Sequence, residues 1–421
     1  MEYSQSEVLQ YVSENDVKFI KLFFTDIFGS IKSISVQPSV LKRAFDEGIS
    51  FDGSAVPGFL HTEKSDLFLL PDPSTLSVLP WRPQRGRVAR LYCNIRYPDG
   101  SVFEGDTRTM LQHVVEQAAS FGLTVNIGTE CEFYLFKRDE NGAPTMVPHD
   151  NAGYCDLAPL DKGENVRRDI IFTLEQMGIE PETSHHETGP GQNEIDFKYN
   201  TAVKAADNFA TFKTAVKTIA AQDGLFASFL PKPFADKAGS GLHINISLQK
   251  NGENIFDTNQ PEAKSFVAGL LFHIRDITAF LNPLPNSYER LGVCEAPRYV
   301  SWSRENRSQL IRIPAAHRDG MRVELRSPDP SCNQYLALSL IIAAGLDGVA
   351  KKLELPPATD LNLYNASNSE LKKLAMLPSS LEEAMNLAMQ SRFVQSQLSG
   401  TVLDFFAKFS EHAQNPEFGV L

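Results

Sequence analysis

The chain has 421 residues, of which 42% are hydrophobic and 22% are charged, and its formal net charge is −12 with a pI near 5.3. This composition is typical of a globular protein with more than one domain, and it excludes a disordered or low-complexity chain. Because an acidic chain has no general attraction to nucleic acid or anionic lipid, neither is an expected partner.

The chain carries no signal for secretion or for a membrane span. Residues 1–7 hold no basic patch followed by an apolar run, and the longest apolar stretch, residues 336–346, is too short to cross a bilayer and predicts a buried helix. The five cysteines are scattered and form no CxxC pair, which favours reduced thiols and a cytoplasmic location.

The first hundred residues predict a small α+β domain. A short helix over residues 5–16 precedes a strand over residues 17–24, and a second strand follows Phe28-Gly29-Ser30. Proline and glycine are frequent from residue 53 to residue 100, and Tyr97-Pro98-Asp99-Gly100 is a turn signal. We therefore predict one domain over residues 1–100 and a second over residues 101–421.

The second domain is predicted to mix strands with amphipathic helices. Apolar residues at helical spacing predict a helix over residues 107–121, and further helices are expected over residues 165–177, 208–222, 261–281, 333–353 and 381–411. Neither a Walker A sequence nor a strand–GxGxxG–helix unit is present, so any nucleotide must be held in another way.

The strand predicted over residues 125–136 carries two acidic side chains on one face. Side chains alternate along a strand, so Glu130 and Glu132 point in the same direction. Two like charges at that spacing repel each other unless a cation lies beside them. A solvated strand face is the alternative interpretation, and the strand alone does not decide between the two.

A glycine-rich connection predicts a hairpin with further glutamates. Strands at residues 184–187 and 193–197 flank Thr188-Gly-Pro-Gly-Gln192, which suits a tight antiparallel turn. If Thr188 pairs with Asn193, then Glu187 stands opposite Glu194. Facing glutamates destabilise a purely structural hairpin, but they are suitable ligands for one cation.

Two further strands add a histidine and several arginines. His243, Asn245 and Ser247 share one face of the strand at residues 241–248, where a structural histidine is as good an interpretation as a ligand. Farther along the chain, Arg322, Glu324 and Arg326 share one face of another strand. Arg307 and Arg312 precede this strand. Surface salt bridges are the alternative there, but the rigid fork of arginine also suits phosphate oxygens.

Together these segments predict a polar cavity with five glutamates, one histidine and several arginines. Oxygen ligands with one imidazole favour Mg²⁺ or Mn²⁺ over zinc. Two such cations with arginines are what phosphoryl transfer requires, because catalysis there is mostly positioning and charge neutralisation. The spacing alone does not name a substrate.

At these residues the chain resembles the type I glutamine synthetases, over nearly its whole length. The motifs that carry the resemblance are Phe51-Asp-Gly-Ser54 with Gly58-Phe59, Gly128-Thr-Glu-Cys-Glu-Phe133, His185-His-Glu-Thr-Gly-Pro-Gly-Gln192 with Glu194, Lys232-Pro233, Gly239-Ser-Gly-Leu-His243, Asn282-Pro283, Asn286-Ser-Tyr288 with Arg290, Glu295-Ala-Pro297, Asn306-Arg-Ser308, Arg312-Ile-Pro314 and Glu324-Leu-Arg326.

The resemblance implies an α+β fold in two parts: a small β-grasp-like N-terminal domain and a catalytic domain in which a curved antiparallel sheet forms a funnel with helices outside. It also implies a homo-oligomer, either a hexameric ring or a dodecamer of two rings, with each active site between neighbouring subunits. The short C-terminus ending Glu417-Phe-Gly-Val-Leu421 leaves the number of rings open, because this tail clasps the rings in the family.

The resemblance also implies the ligand sets. Glu132, Glu187 and Glu194 would hold one divalent cation, near glutamate and the transferred phosphate. Glu130, His243 and Glu324 would hold the other, near the phosphates of ATP. The residues expected to contact the nucleotide are Glu182, Tyr199, Asn245, Ser247, Arg312 and Arg322.

The implied reaction joins ammonium to L-glutamate through γ-glutamyl phosphate, with ATP as co-substrate. Asp52 of the adjacent subunit would take a proton from ammonium, and Arg307 would stabilise the transferring phosphate. Glu295, on a flap, would close over the intermediate, since water would hydrolyse it. The residues expected to bind glutamate or ammonium are Tyr154, Gly239, Arg290, Glu295, Arg307 and Arg326.

Three departures from the family pattern keep alternatives open. Ala55 replaces a second serine, Ala238 replaces an asparagine, and the flap at residues 290–295 is one residue shorter. Because these changes surround the predicted amino-acid and ammonia pockets, a γ-glutamyl ligase for a small amine or polyamine is the alternative enzyme. A non-catalytic regulatory homologue is the alternative from another class; the complete set of six ligands argues against it.

Overall fold

The computed structural model describes residues 3–59, 62–82, 86–316 and 320–412. The helices are α1 (Gln5–Glu14), α2 (Pro38–Glu47), α3 (Thr107–Ser120), α4 (Glu164–Gln176), α5 (Ala202–Gln222), α6 (Pro261–Leu281), α7 (Ser287–Arg290), α8 (Gln334–Lys351), α9 (Asn368–Leu371), α10 (Leu381–Gln390), α11 (Arg392–Gln397) and α12 (Gly400–His412). The strands are β1 (Val17–Thr25), β2 (Ile31–Val36), β3 (Ile49–Asp52), β4 (Asp66–Pro71), β5 (Ser77–Val78), β6 (Arg87–Arg96), β7 (Thr124–Arg138), β8 (Pro144–Pro148), β9 (Pro181–His186), β10 (Gln192–Phe197), β11 (Asn200–Thr201), β12 (Leu225–Ser228), β13 (Leu242–Lys250), β14 (Glu253–Asn254), β15 (Trp302–Arg304), β16 (Ile311–Ile313) and β17 (Val323–Leu325).

The N-terminal part is a mixed sheet with its own apolar core. Its strands lie in the order β2-β1-β6-β4-β3, with β5 beside β6, and β1 runs parallel to β6 while the other pairs are antiparallel. Leu22, Leu69 and Leu91 are fully buried in one cluster with Val8 of α1 and Leu41 of α2. The two helices therefore cover one side of the sheet, in agreement with the predicted α+β class.

The larger sheet is organised around β7. Its strands lie in the order β15-β16-β17-β13-β7-β10-β9, and β8, β11 and β12 also pair with β7. All of these pairs are antiparallel except β15 with β16. Apolar residues of β7 and β13 pack into the core shared with α3, α5, α6 and α8, so polar residues at alternate positions are left on the other face.

Helix α8 forms the centre of that core. It is long and apolar enough to cross a membrane by length and composition, yet 83% of it is buried inside the protein. It packs tightly on α6, since a Cβ atom placed on Gly348 would lie 2.1 Å from the carbonyl oxygen of Ser265. The predicted buried helix is therefore confirmed as a core element.

Two predicted helices have different bounds in the structure. Helix α5 begins at Ala202, six residues before the predicted start. The single helix predicted over residues 381–411 is wrong, because the segment divides into α10, α11 and α12. The hydroxyl of Ser391 accepts a hydrogen bond from the N–H of Val394 and begins α11, which shows how a serine side chain competes with a continuous helix.

A buried polar network joins the N-terminal sheet to helices α3 and α5. Arg108 of α3 donates to both carboxylate oxygens of Asp207, at 3.0 and 2.9 Å, and to Asp72 of the N-terminal part at 2.8 Å. Tyr92 of β6 donates to the carbonyl of Asp207 at 3.0 Å. These bonds fix the N-terminal sheet against α5, and a buried ion pair is costly to break on one side only.

Candidate active site

The polar face of the larger sheet opens into a cavity of about 770 Å³. Acidic and basic side chains from five strands, five loops and helix α7 converge on it. The residues that line it are Glu130, Glu132, Tyr154, His185, Glu187, Thr188, Gln192, Glu194, Asp196, Ala238, Gly239, His243, Arg290, Cys294, Glu295, Ala296, Arg307, Arg312, Arg322 and Arg326.

One group of potential metal ligands comes from three neighbouring strands. Glu130 of β7 stands opposite His243 of β13, and Glu324 follows on β17. The Nδ1 atom of His243 lies 3.2 Å from Oε2 of Glu130 and 3.5 Å from Oε1 of Glu324. One ligand atom from each residue lies within 4.8 Å of the other two, so the three can hold one ion.

A second group of potential metal ligands lines the same cavity. Here the predicted hairpin register is wrong, because Glu194 pairs with His185 and the N–H of Glu187 donates to the carbonyl of Gln192. The four-residue turn from Gly189 to Gln192 shifts the register by two residues. Since strand side chains alternate with a period of two, this shift keeps Glu187 and Glu194 on the same face.

His185 joins the two glutamates of this second group. Its Nε2 lies 3.0 Å from Oε1 of Glu187 and 3.6 Å from Oε2 of Glu194, and the three residues offer ligand atoms within 4.8 Å of one another. Glu132 lines the same cavity, but its Oε2 accepts hydrogen bonds from the side chain of Gln192 and the N–H of Gly241. The sequence prediction placed Glu132 in this set and did not assign a role to His185.

The local electrostatics indicate a site built for positive charge. Burial raises the pKa of Glu194 well above its ordinary value, and the charges of Glu132, Asp196 and Glu187 raise it further. Burial also opposes ionisation of Glu130, but the hydrogen bond and charge of His243 outweigh it and lower the pKa to about 2. The cavity therefore holds one carboxylate that ionises readily beside another that ionises only at a cost.

A third acidic group, Asp150, Asp161 and His186, is already neutralised by the protein. Arg167 pairs with Asp161 at 2.5 Å, and His186 Nε2 pairs with Asp150 at 2.9 Å. Backbone N–H groups of Lys162 and Gly191 donate to Asp150. With these bonds in place the third group is a structural network adjacent to the second group.

The arginines of the cavity are held by the sheet. Arg312 and Arg326 donate to Glu324 at 2.6 and 3.0 Å, and Arg322 donates to Asn245 at 2.8 Å. The Nε atom of Arg326 is buried and has no hydrogen-bond partner among the described residues. All three arginines line the cavity, where their guanidinium groups can bind an anionic ligand.

The flap and the loop opposite it form the mouth of the cavity. Glu295 is exposed, and both Cys294 and Glu295 have positive φ angles, of 47° and 67°. Such angles are unfavourable for residues other than glycine and persist only where the surroundings enforce them. Opposite the flap, the ring of Tyr154 packs edge-on against His185 at 5.4 Å.

Several predicted site residues do not line the cavity. Asn245 donates to Glu130 at 2.8 Å from just behind it, and Glu324 is fully buried beneath the arginines. Glu182 is exposed on β9, and Tyr199, which follows β10, is 52% exposed. Ser247 lies two residues after Asn245 on β13.

Asp52 also lies away from this cavity. It ends β3 of the N-terminal part, is exposed, and accepts hydrogen bonds from the N–H and hydroxyl groups of Ser54, which lower its pKa. Within one chain it therefore makes no contact with the predicted cation ligands that the structure describes.

Seven lining residues were given no role by the sequence interpretation: His185, Thr188, Gln192, Asp196, Ala238, Cys294 and Ala296. Strand alternation was sufficient to find three of them, because His185 lies two positions from Glu187, and Gln192 and Asp196 each lie two positions from Glu194. Alternation does not reveal the contacts of Gln192 with the distant residues Glu132 and Gly239.

Comparisons with known proteins identify the family of the chain. The family described as "Glutamine synthetase, catalytic domain" matches residues 104–416, and "Glutamine synthetase, beta-Grasp domain" matches residues 16–98. Proteins named "Glutamine synthetase" are similar over nearly the full length. The one from Clostridium saccharobutylicum is 47% identical (95% of this chain, 92% of the relative), and the one from Methanosarcina mazei is 46% identical (96% and 92%).

Solved structures share the fold. A "GmaS/ADP complex" superimposes with a TM-score of 0.87 at 30% identity, covering 96% of this chain and 94% of the other. The cryo-EM structure of Plasmodium falciparum glutamine synthetase gives a TM-score of 0.86 at 24% identity, covering 98% and 96%, and supports the fold alone. The chain belongs to the glutamine synthetase family, the ATP-dependent ligases that join ammonium to glutamate.

Proposed function

We propose that the cavity described above is where ATP phosphorylates the γ-carboxylate of glutamate and where ammonia then displaces the phosphate, with two divalent cations, Mg²⁺ or Mn²⁺. The observation that carries this proposal is the presence of two separate groups of ligand atoms, each within 4.8 Å, in and directly behind one cavity that five arginines also line. Hard cations and arginines together neutralise a transferring phosphoryl group.

The residues present fit such cations. Glu130, His243 and Glu324 would hold one, and Glu132, Glu187 and Glu194 the other, with His185 beside them. Oxygen donors with one imidazole suit Mg²⁺ or Mn²⁺, and the raised pKa of Glu194 shows a carboxylate that lacks a compensating positive charge. When bound, the cations would supply charge neutralisation at the phosphates.

We assign the anionic parts of the substrates to the arginines. Arg290 and Arg326, with Gly239, would hold glutamate, because all three residues line the cavity. Arg307 would stabilise the transferring phosphate. The remaining polar groups would contact the nucleotide: Glu182, Tyr199, Asn245, Ser247, Arg312 and Arg322.

The second half-reaction needs a base and a dry cavity. Glu295 on the strained flap, with Tyr154 across the mouth, would close over γ-glutamyl phosphate and hold ammonium. Asp52 would take the proton from ammonium in a neighbouring subunit, since it is exposed and lies away from the cavity of its own chain. This arrangement requires a homo-oligomer, which we propose to be a hexameric ring or a dodecamer.

The predicted tail contact between rings, residues 417–421, lies outside the described residues. We also propose a cytoplasmic location, in keeping with five free cysteines.

Ammonium is the nitrogen donor that the comparisons favour over a small amine, because relatives at 44–47% identity are named glutamine synthetase. The test is release of phosphate from ATP with glutamate and ammonium, methylamine or putrescine. We expect release with ammonium and formation of glutamine. Release with methylamine or putrescine alone would support the amine ligase, and binding of ATP without any turnover would support a regulatory homologue.

A further inference from the structure

Gln192 connects three parts of the cavity through one buried amide. It is the first residue of β10 and is fully buried. Its Nε2 donates to Oε2 of Glu132 at 2.9 Å and to the carbonyl of Gly239 at 3.1 Å. Its Oε1 accepts from the N–H of Gly189 at 2.8 Å. Both N–H groups of the amide are therefore committed.

The first connection fixes the orientation of Glu132. Its Oε2 also accepts from the N–H of Gly241 at 3.0 Å, so two donors hold the same oxygen. Because these donors use Oε2, the described contacts leave Oε1 as the atom that a ligand can use. A carboxylate held at one oxygen in this way presents the other in a defined position.

The second connection reaches the loop that carries Gly239. This loop is closely packed at Gly239, because a Cβ atom there would lie 2.3 Å from the carbonyl oxygen of Pro231 and 3.0 Å from Cγ of Arg290. Next to it, the hydroxyl of Tyr134 donates to the carbonyl of Ala238 at 2.6 Å. Gln192 therefore holds the backbone against which the proposed glutamate ligand Arg290 packs.

The third connection belongs to the hairpin turn that follows Glu187. The N–H of Gln192 donates to the carbonyl of Gly189 at 2.9 Å, and its side chain accepts from the N–H of the same residue. The side-chain amide of Gln192 thus closes the turn between β9 and β10. Glu187, a proposed cation ligand, directly follows the last residue of β9.

We propose that Gln192 is a positioning residue that couples the cation ligand Glu132 to the glutamate loop at Gly239, so that cation affinity and glutamate affinity depend on the same amide. This inference rests on the proposed function of the cavity. Groups that orient metal ligands in this manner typically change affinity by about 10- to 100-fold when they are removed.

The test compares Gln192→Met with Gln192→Glu in the full-length protein. Mn²⁺ binding is measured by calorimetry without substrates, and KM is measured separately for glutamate and ATP. We expect Gln192→Met to weaken Mn²⁺ binding and to raise KM for glutamate, each by about 10-fold or more, with KM for ATP changed far less. Gln192→Glu places a carboxylate beside Glu132 and cannot donate to Gly239, so its defects should be larger.

The control is Gln112→Met, because the Oε1 of Gln112 accepts from Asn94 at 3.0 Å and the residue does not line the cavity. It should bind Mn²⁺ and glutamate as the wild type does. The inference is overturned if Gln192→Met lowers the unfolding temperature or kcat while Mn²⁺ affinity and KM for glutamate stay at the wild-type values. Failure of the proposed function would instead appear as a wild-type protein without ammonium-dependent phosphate release.

Discussion

Glu194 stands directly opposite Glu132 in the antiparallel ladder between β10 and β7. Opposed carboxylates repel each other, and this pair lies on a largely buried face beside Glu187. A fold selected for stability alone has no reason to keep such a pair. The arrangement is expected where a cation completes it, and this leads to the first prediction.

Replacing Glu194 with glutamine should separate stability from function. The cation-free variant should be at least as stable as the wild type, since removing a like charge across a strand pair is worth about 0.2–1 kcal/mol. Mn²⁺ should raise its unfolding temperature less than it does that of the wild type, and glutamine formation should be largely lost. Thermal unfolding with EDTA and with Mn²⁺ measures this; an equal response to Mn²⁺ would contradict it.

Removal of divalent cations should abolish ligation. Glu324 is fully buried between His243 and two arginines, so its role as a ligand is best tested by Glu324→Gln, which keeps the shape of the side chain. We expect EDTA to stop phosphate release and Mg²⁺ or Mn²⁺ to restore it in the wild type. The variant should need about 10-fold more cation or more. Unchanged cation dependence would remove Glu324 from the ligand set.

The glycine at the start of the hairpin turn should not tolerate a side chain. A Cβ atom on Gly189 would lie 2.0 Å from the hydroxyl oxygen of Tyr134, whereas one on Gly400 meets nothing within 4 Å. Overpacking of this kind costs about 1–3 kcal/mol. We therefore expect Gly189→Ala to lower both the free energy of unfolding and the activity, while Gly400→Ala changes neither appreciably. Denaturant unfolding of the two variants is the measurement.

Breaking the buried network around Arg108 should destabilise the protein in a pH-dependent way. Arg108→Met leaves Asp207 and Asp72 without their partner, which costs about 3–5 kcal/mol for a buried pair. Burial opposes ionisation of Asp72, but the charge of Arg108 and the hydrogen bond from Ser74 outweigh it, so that its pKa is lowered.

A carboxyl group with a lowered pKa in the folded state stabilises the protein above its unfolded pKa and loses that contribution as the pH falls. The difference in unfolding free energy between wild type and Arg108→Met should therefore be full above the ordinary aspartate pKa and should shrink below it. Urea titrations between neutral and acidic pH test this. A difference that is constant over the whole range would show that Asp72 does not contribute.

Shared active sites can be tested by mixing two inactive variants. Asp52→Asn lacks the proposed base and Glu324→Gln binds a cation more weakly, so each should be nearly inactive alone at a cation concentration that is too low for Glu324→Gln. If neighbouring subunits share a site, random reassembly of equal amounts should restore activity at about one quarter of the sites. Dissociation and reassembly of each variant separately is the control. Absence of recovery in mixed rings would place Asp52 outside the reaction.

The sequence by itself determined which face of each strand is polar. Glu130, His243 and Glu194 lie on the cavity face because side chains alternate strictly along a strand, and the local pattern of apolar residues decides which face enters the core. The same rule explains why Glu187 was correctly predicted to lie on the cavity face, although its predicted cross-strand partner was wrong. A register shift of two residues changes the residue opposite Glu187 and leaves its face unchanged.

Only the tertiary structure decided which polar groups share an ion or a hydrogen bond. His185 lies beside Glu187 and Glu194, together with Glu132, because the turn geometry sets the register of the hairpin. Gln192 reaches Glu132 and Gly239 across 60 and 47 positions of the sequence. Contacts between segments so far apart depend on how strands pair and curve in the folded sheet, and local periodicity carries no information about that pairing.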